Sequence, residues 1–519
     1  LEKYIEIFVL MVCSVPVLRF AGKRPVRREL RENPGYAAVA LAMLGLAAGC
    51  AVWSCLRFPN ALRASASVAL VLAVATYVRA RPGYGRSRGL PPGSLGLTAS
   101  IDSIFDEGYY ARQAKMWGPV FKMSQMHRPV VCIADLKTGF EFLEASKDRL
   151  RQSALPFSRL IPGGYIEFMN AEQHERFRGI LRPPLISPVI DESEPYVAER
   201  VREVLGALER NSDERGATPE QLLDEIVFAS LLRLFFGITV DDERFERFRE
   251  LYKRVDFRAA SYTSVGRELA DAFARVSSEV ASLVEWIRVA PPEQGERSVL
   301  SEILRTLPAG DEEALETVSG NLIFMLAVAR DDLEGFLSWL LKMTCDHPRT
   351  AAELRAAASA AAADRTQLDR LAVEIVKETL RLRQSEYIYR DVLADCSLGK
   401  YRIPKGWKVR LCLTECHRSE SVFPDPHQFK PGRFAESAFT KFEYRPFSDG
   451  AHACIGMRLA NMVGQTFLRE LAAGFEWGKT ADSPVQRGNR QWHHWTPGVD
   501  FRVSVISRPA DGSGASSNV

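Results

Sequence analysis

Residues 445–460 read RPFSDGAHACIGMRLA and set one cysteine, Cys454, among small residues directly ahead of a helical pattern. Gly450 and Gly456 let the chain turn tightly on either side of it. The apolar spacing of MRLANMVGQTFLREL, residues 457–471, predicts a helix whose N-terminus lies beside the sulfur. The partial positive charge of a helix N-terminus favours a thiolate there. Two readings are open for the bare ACIG core: an inert buried cysteine beside a turn, or a thiolate serving as axial ligand of a heme iron. The second requires a flat macrocycle to come close to the backbone and the sulfur to accept N–H bonds that tune the metal; the two glycines give room for both. Phe447 is then placed to shield the sulfur and His452 to reach a heme propionate.

The pattern Phe447-x-x-Gly450-x-His452-x-Cys454-x-Gly456 resembles the heme-binding signature of the cytochrome P450 family, with every fixed position present. Earlier in the chain, Glu378-Thr-Leu-Arg381 puts a carboxylate and a guanidinium on one helix face. On an exposed helix such a pair contributes only roughly 0.2–0.5 kcal/mol and is common. Between the two motifs stands Phe429-Lys-Pro-Gly-Arg433-Phe434, which is similar to the family's Pro-Glu-Arg-Phe segment, although Gly432 replaces the usual glutamate. The resemblance implies a buried structural triad of Glu378, Arg381 and Arg433, and the order of the three motifs makes the set specific. His174-Glu-Arg-Phe-Arg178 resembles the His-x-x-x-Arg of the family's third helix, and Arg390 in YIYRDV takes the place of the family's arginine after ExxR. The resemblance implies that His174, Arg178 and Arg390 join His452 in holding the heme propionates, anions that need fixed donors. By residue type alone, each is equally a solvated charge on a helix or at a strand end.

Residues 316–343 carry no proline and read as one long helix, apolar on both sides of Arg330-Asp331-Asp332. Two adjacent carboxylates are costly to bury unless paired or bordering a wet pocket; an exposed stripe is the simpler alternative. The family's central helix usually carries a small pair, an acid, and then a threonine whose hydroxyl helps pass protons to the oxygen side of the heme. Counting back from Trp339 aligns Val328 and Ala329 with the small pair, Asp331 with the acid and Asp332 with the threonine. The alcohol is absent. Asp331 and Asp332 are therefore the catalytic candidates, with Asp332 relaying protons through water, above all if burial raises its pKa. Adjacent helix residues point about 100° apart, so only one of the two is expected to face the heme.

The chain has 519 residues, 46% of them hydrophobic and 26% charged, the composition of a folded protein. Its formal charge of +3 comes from 68 basic and 65 acidic residues interspersed along the chain, which argues for no nucleic-acid partner. Nine cysteines at irregular spacing, with no CxxC pair, suggest a reducing compartment rather than a disulfide framework. Cys412-Leu-Thr-Glu-Cys416-His417 has the look of a metal clip, but the apolar surroundings from Lys408 to Leu413 read as a buried strand.

Apolar runs cover Tyr4 to Phe20, Tyr36 to Leu56 and Ala64 to Val78, and only the middle one has the roughly 20 residues a span needs. Arg and Lys residues cluster at 19–31 and 79–88, which the positive-inside rule places on the cytoplasmic side together with everything after residue 80. Residues 1–80 are thus expected to form an N-terminal membrane region of one to three transmembrane helices; a soluble helical subdomain is the alternative, and a cleaved signal peptide lacks its basic start. Residues 81–98, rich in Pro, Gly and Arg, read as a stiff hinge, residues 99–508 as one heme-thiolate catalytic domain, and residues 509–519 as a disordered tail. Helical patterns dominate from Ala171 to Arg383, and strands are suggested near residues 120–134, 400–413 and 500–506.

The resemblance implies a mainly α fold with small β-sheets (α+β), heme b (iron protoporphyrin IX) as cofactor and Cys454 as the metal ligand. It also implies a monooxygenase that inserts one oxygen atom of O2 into a hydrophobic small-molecule substrate. Electrons would come from a separate NAD(P)H-dependent reductase or ferredoxin, because no flavin- or nucleotide-binding module is left in the chain. Membrane anchoring with a cytoplasmic-facing catalytic domain places it at the endoplasmic reticulum if the source is eukaryotic. The altered Asp331-Asp332 centre motivates a second reading, a heme-thiolate isomerase, dehydratase or peroxide-using enzyme acting on a pre-oxidised substrate; a heme-binding sensor is a third. The family's substrate-contact segments correspond to parts of 151–165, 235–262, 385–389 and 492–497, whose aromatic and aliphatic content suits an apolar ligand.

Overall fold

The computed structural model describes residues 89–95, 103, 108–125, 128–152, 156–211, 216–255, 267–293, 296–308, 310–361, 363–383, 388–481, 489–491, 494–497 and 501–508. The proposed membrane region, most of the hinge and the tail at 509–519 lie outside the described residues. Among the described residues, no helix is long and apolar enough to cross a membrane. The described residues pack as two compact units, one within Leu1–Ser153 and Tyr387–Cys416, the other within Ala154–Glu386 and His417–Val519.

The smaller unit is built on a six-stranded mixed sheet. In chain order its strands are β1 (Gly93–Ser94), β2 (Val120–Gln125), β3 (Arg128–Ile133), β4 (Leu150–Gln152), β5 (Ile388–Val392) and, after a hairpin of β6 (Cys396–Leu398) and β7 (Tyr401–Ile403), β8 (Lys408–Leu411). They lie side by side as β1-β2-β3-β8-β5-β4. β2 and β3 pair antiparallel from Val120 opposite Ile133 to Gln125 opposite Arg128, while β3 and β8 run parallel, Val130 beside Lys408. The run Val130-Val-Cys-Ile133 is buried at every position, as expected of a central strand covered on both faces. The helix Leu136–Ala145 begins at Asp135, whose side chain accepts from the Thr138 N–H at 2.7 Å. Gly139 lets that helix close on the sheet, because a Cβ there would lie 2.3 Å from Leu411 Cδ1.

The strand expected over 400–413 divides in two, and the chain leaves the sheet at Cys412, whose N–H still donates to the Ile133 carbonyl at 2.8 Å. Leu413–His417 then turns helical. Cys412 and Cys416 are both buried, and among the described residues no group of three or more His, Cys, Asp or Glu is arranged to hold a metal ion.

The larger unit is helical, with short antiparallel pairs of β9 (Phe475–Ala481) with β12 (Arg502–Ser507), and β10 (Asn489–Gln491) with β11 (His494–Thr496). The proline-free stretch forms a 35-residue helix, Glu312–Asp346, started by Asp311, whose carboxylate accepts from the Ala314 N–H at 3.1 Å. Against it packs the helix Pro219–Phe236, opened by a Thr218/Gln221 capping box and closed by Gly237 in the left-handed region at φ +76°. That helix is buried on nearly all sides, which its continuous apolar sequence requires. The helix Met457–Gly474, which follows the cysteine loop, packs against both the central helix and the helix Thr366–Leu382. Gly464 permits the first contact, since a Cβ there would sit 2.6 Å from Phe336 Cε1. Gly464→Val is expected to destabilise the unit by about 1–3 kcal/mol through overpacking, read as a lower thermal midpoint. An unchanged midpoint would mean that Phe336 swings aside freely.

Candidate functional site

In the cysteine loop, the Cys454 N–H donates to the Phe447 carbonyl at 2.8 Å, which closes the turn around the sulfur. The turn needs Gly450, whose φ is +72°, and it also holds Ser448 at φ +63°. Gly456 caps the helix Met457–Gly474, and a Cβ at that position would lie 3.9 Å from Cys454 Sγ. The thiol is exposed, although most of the residues that follow on the inner face of this helix are buried. An exposed sulfur at the head of an 18-residue helix is in the electrostatic setting that favours thiolate.

The His-x-x-x-Arg helix, Ala171–Ile186, is capped by Asn170 and brings its two predicted residues to this loop. His174 is buried and stacks on His452 with ring centroids 4.3 Å apart. Arg178 donates through Nη2 to the Ala453 carbonyl at 2.7 Å. Burial lowers the Arg178 pKa, the Arg182 charge adds to this, and the Cys454 sulfur opposes it; the guanidinium stays charged. His174, Arg178, His452, Phe447, Gly450, Cys454 and Gly456 therefore meet at one place in the larger unit. Arg390 stands on β5 of the smaller unit, where its Nη1 donates to the Tyr389 carbonyl at 2.9 Å. The exposed thiol, the glycines beside it and the donor side chains nearby fit a heme that Cys454 would hold, with Arg178, His174 and His452 as the groups that would meet its propionates.

Glu378, Arg381 and Arg433 also come together, and all three are buried. Arg381 forks onto the carboxylate, Nε to Oε2 at 2.8 Å and Nη2 to Oε1 at 2.9 Å. Arg433 Nε and the Lys430 N–H complete the shell on Oε1 at 3.1 and 2.8 Å. The other face of Arg381 donates to the carbonyls of His417 and Pro426, both at 2.8 Å. Gly432 leaves a short helix, Arg433–Glu436, in place of any further acid.

His417 links this cluster to the cysteine loop: its Nε2 accepts from the Arg445 N–H at 2.9 Å. Burial, with the charges of Arg381 and Arg418, lowers its pKa to about 3. The fold therefore stabilises neutral imidazole, a contribution fully present above the unfolded value near 6.5 and lost as pH falls toward 3. Wild type is expected to lose up to about 1.4 kcal/mol per pH unit more than His417→Gln between pH 6 and 4. Parallel stability–pH curves for the two would remove His417 from acid unfolding.

On the central helix the two aspartates part company. Asp331 is half-buried and Asp332 exposed, so the burial expected to act on Asp332 is not there. The acid whose pKa is shifted is one that sequence reasoning missed, the half-buried Glu334: desolvation raises it to about 7 against the pull of Arg330. Arg330 bridges it, at 3.0 Å from Nε to Oε1, to Asp224 of the helix Pro219–Phe236, and lies over the Phe228 ring at 5.5 Å. The i,i+4 spacing of Arg330 and Glu334 was the available signal, and Asp224 has no local one.

The cytochrome P450 family model matches residues 102–279 and 335–496, leaving out the segment that carries Arg330, Asp331 and Asp332. Similar curated proteins include an abscisic acid 8'-hydroxylase 3 of Oryza sativa subsp. indica, 27% identical over 424 residues that span 76% of this chain and 83% of the relative. A taxane 13-alpha-hydroxylase of Taxus cuspidata is 24% identical, with 76% of this chain and 87% of the relative covered. Among solved structures, the retinoic acid-bound cyanobacterial CYP120A1 superposes with a TM-score of 0.66 at 20% identity, over 81% of this chain and 100% of that one. A zebra fish cytochrome P450 with abiraterone gives 0.63 at 17% identity, covering 77% and 99%.

Proposed function

The chain belongs to the cytochrome P450 family, an oxidoreductase of the monooxygenase type, and on that premise we propose that it is a membrane-anchored hydroxylase of a hydrophobic, ring-bearing small molecule. The observation that carries this reading is the convergence on Cys454: an exposed thiol at a helix head, ringed by His174, Arg178 and His452, in a chain whose relatives are hydroxylases along three quarters of its length. The group held there is heme b. When bound, a heme thiolate supplies the redox chemistry that activates O2 and favours cleavage of its O–O bond.

The protein's own residues do the rest. Cys454 would hold the heme iron, and the hydrogen bond of its N–H to the Phe447 carbonyl fixes the backbone from which the sulfur projects. Arg178, His174 and His452 would hold the heme propionates, anions that need fixed donors. Asp331 and Asp332 occupy the positions from which protons pass, Asp332 by water exchange from its exposed site. The apolar runs within residues 1–80 anchor the catalytic domain to a membrane on its cytoplasmic side, at the endoplasmic reticulum in a eukaryote, and electrons arrive from a separate reductase or ferredoxin. A substrate that partitions into lipid suits such an anchor.

The named substrates of the relatives, abscisic acid and a taxane, set the first panel to assay. Purified protein supplied with NADPH and a P450 reductase is expected to consume O2 and yield a product heavier by one oxygen atom from at least one cyclic compound of that kind. Conversion of a hydroperoxide without NADPH or O2, and no oxygenated product with them, would establish the isomerase or dehydratase reading that the Asp331-Asp332 centre also permits. Deleting residues 1–80 is expected to move the protein from the membrane pellet to the supernatant, and retention in the pellet would overturn the anchor.

A further inference from the structure

Behind the segment Arg330-Asp331-Asp332, on the side of the central helix that meets Pro219–Phe236, two carboxyls share one guanidinium. Arg330 reaches Glu334 on its own helix and Asp224 on the neighbour, so the cluster holds one positive charge against two acids. Desolvation makes the doubly ionised state costly, and a proton held between Glu334 and Asp224 leaves the cluster neutral. Each of the three side chains keeps between a fifth and a third of its surface exposed, so the cluster can refill from solvent. The charged groups around Glu334 are Arg330 and Asp331 of its own helix and Asp224 opposite. On the neighbouring helix Phe245–Tyr252, Arg249 is engaged by Glu225 at 3.8 Å and Glu246 at 3.5 Å rather than by Glu334.

We infer that the Asp224–Arg330–Glu334 cluster is the proton-holding station of this enzyme, from which Asp331 takes a proton for the Asp332 side of the helix. In the transfer the proton leaves a Glu334 oxygen, which keeps the electron pair as a carboxylate beside Arg330, and binds the Asp331 carboxylate; solvent then reprotonates Glu334 through Asp224. Asp331 lies one turn before Glu334, at the i,i+3 spacing that puts side chains in reach, and its charge acts on Glu334. The station thus stands in for the alcohol missing at position 332. Glu334 acts through Asp331 and is a positioning residue. The burial that lifts its pKa to about 7 keeps the proton both available and replaceable near neutral pH.

The inference rests on the monooxygenase reading, and two readouts separate their failures. The first is infrared difference spectroscopy of the folded full-length protein between pH 5.5 and 8.5. A protonated-carboxyl band titrating near pH 7 is expected, absent in Glu334→Gln. The second is the split of consumed O2 between hydrogen peroxide and water, with NADPH, a P450 reductase and no added substrate. In wild type that split is expected to change with an apparent pKa near 7; in Glu334→Gln it becomes flat with pH and several-fold richer in peroxide, and Glu334→Asp restores the pH dependence. Asp224→Asn serves the same test if Glu334→Gln fails to fold. A Glu334→Gln protein that keeps the red-shifted carbon monoxide spectrum and the wild-type pH profile overturns the station, as does a wild type with no titrating carboxyl band. Loss of the carbon monoxide signature in wild type would instead sink the heme-thiolate reading.

Discussion

Cys454→Ser is expected to abolish the red-shifted Soret band of the reduced, carbon monoxide-bound protein and to reduce monooxygenase turnover to background. A serine hydroxyl does not ionise near neutral pH, so it provides neither the anionic axial ligand nor its electron donation. The fold itself should survive. The Cys454 N–H that closes the loop onto Phe447 is a backbone group, and the side chain is exposed, so its replacement leaves no cavity. Thermal unfolding of the heme-free Cys454→Ser protein should therefore match heme-free wild type, which separates ligand loss from misfolding. Arg178→Leu is a useful contrast: it removes the 2.7 Å bond to Ala453 and a propionate donor, so it should weaken heme retention while leaving the thiolate spectrum of what remains. A red-shifted band persisting in Cys454→Ser would assign the axial ligand elsewhere and remove the basis of the functional reading.

The cysteine loop was legible because its demands are local. A tight turn, a sulfur at a helix head and small flanking residues all fall within ten positions; Gly450 takes the positive φ that its residue type suggests, whereas Gly456, at φ −87°, serves as a helix cap in a conformation open to any residue. The triad was legible for a different reason. Glu378 and Arg381 are one turn apart, and only the motif order tied them to Arg433, more than fifty residues on. The central helix resisted the same treatment. Its apolar pattern marked Arg330-Asp331-Asp332 as anomalous, but which acid pairs with Arg330 depends on the neighbouring helix, and Asp224 carries no mark in the sequence that it will face Arg330. Asp332 is exposed while Glu334 is half-buried against the neighbouring helix, a choice made by packing rather than by spacing. The strand over 400–413 failed for a related reason: alternation of apolar residues continues through Cys412, yet the chain turns into a helix at Leu413.

Glu378→Ala is expected to cost about 3–5 kcal/mol, enough to leave most of the protein without heme, because it strands two buried guanidiniums that now share one carboxylate. Both acceptor oxygens of Glu378 are engaged, Oε2 by Arg381 and Oε1 by Arg381, Arg433 and the Lys430 N–H, and the carbonyls that the guanidiniums also reach do not replace its negative charge. Arg381→Ala should be at least as damaging. It frees the same carboxylate and also releases the carbonyls of His417, Pro426 and Gln428, at 2.8, 2.8 and 3.2 Å, from one guanidinium. Arg433→Ala should cost less, since Arg433 makes a single bond to Glu378 and, besides one to the Pro424 carbonyl at 3.0 Å, only long ones to Asp425 and Gln428, both 3.4 Å. These carbonyls belong to the chain leading toward the cysteine loop, which is further pinned where His417 accepts from Arg445 and where the Tyr444 hydroxyl donates to the Lys377 carbonyl at 3.0 Å. Loss of the pair therefore loosens the support of Cys454 without touching it. The readout is heme content per folded chain, expected to fall in the order wild type, Arg433→Ala, Glu378→Ala, Arg381→Ala. Arg381→Lys should not rescue, because one ammonium cannot fork onto a carboxylate and reach three carbonyls. Full heme loading of Glu378→Ala would show that the loop is held by packing alone, and the buried pair would then be a tie within the helix Thr366–Leu382 rather than the anchor of the site.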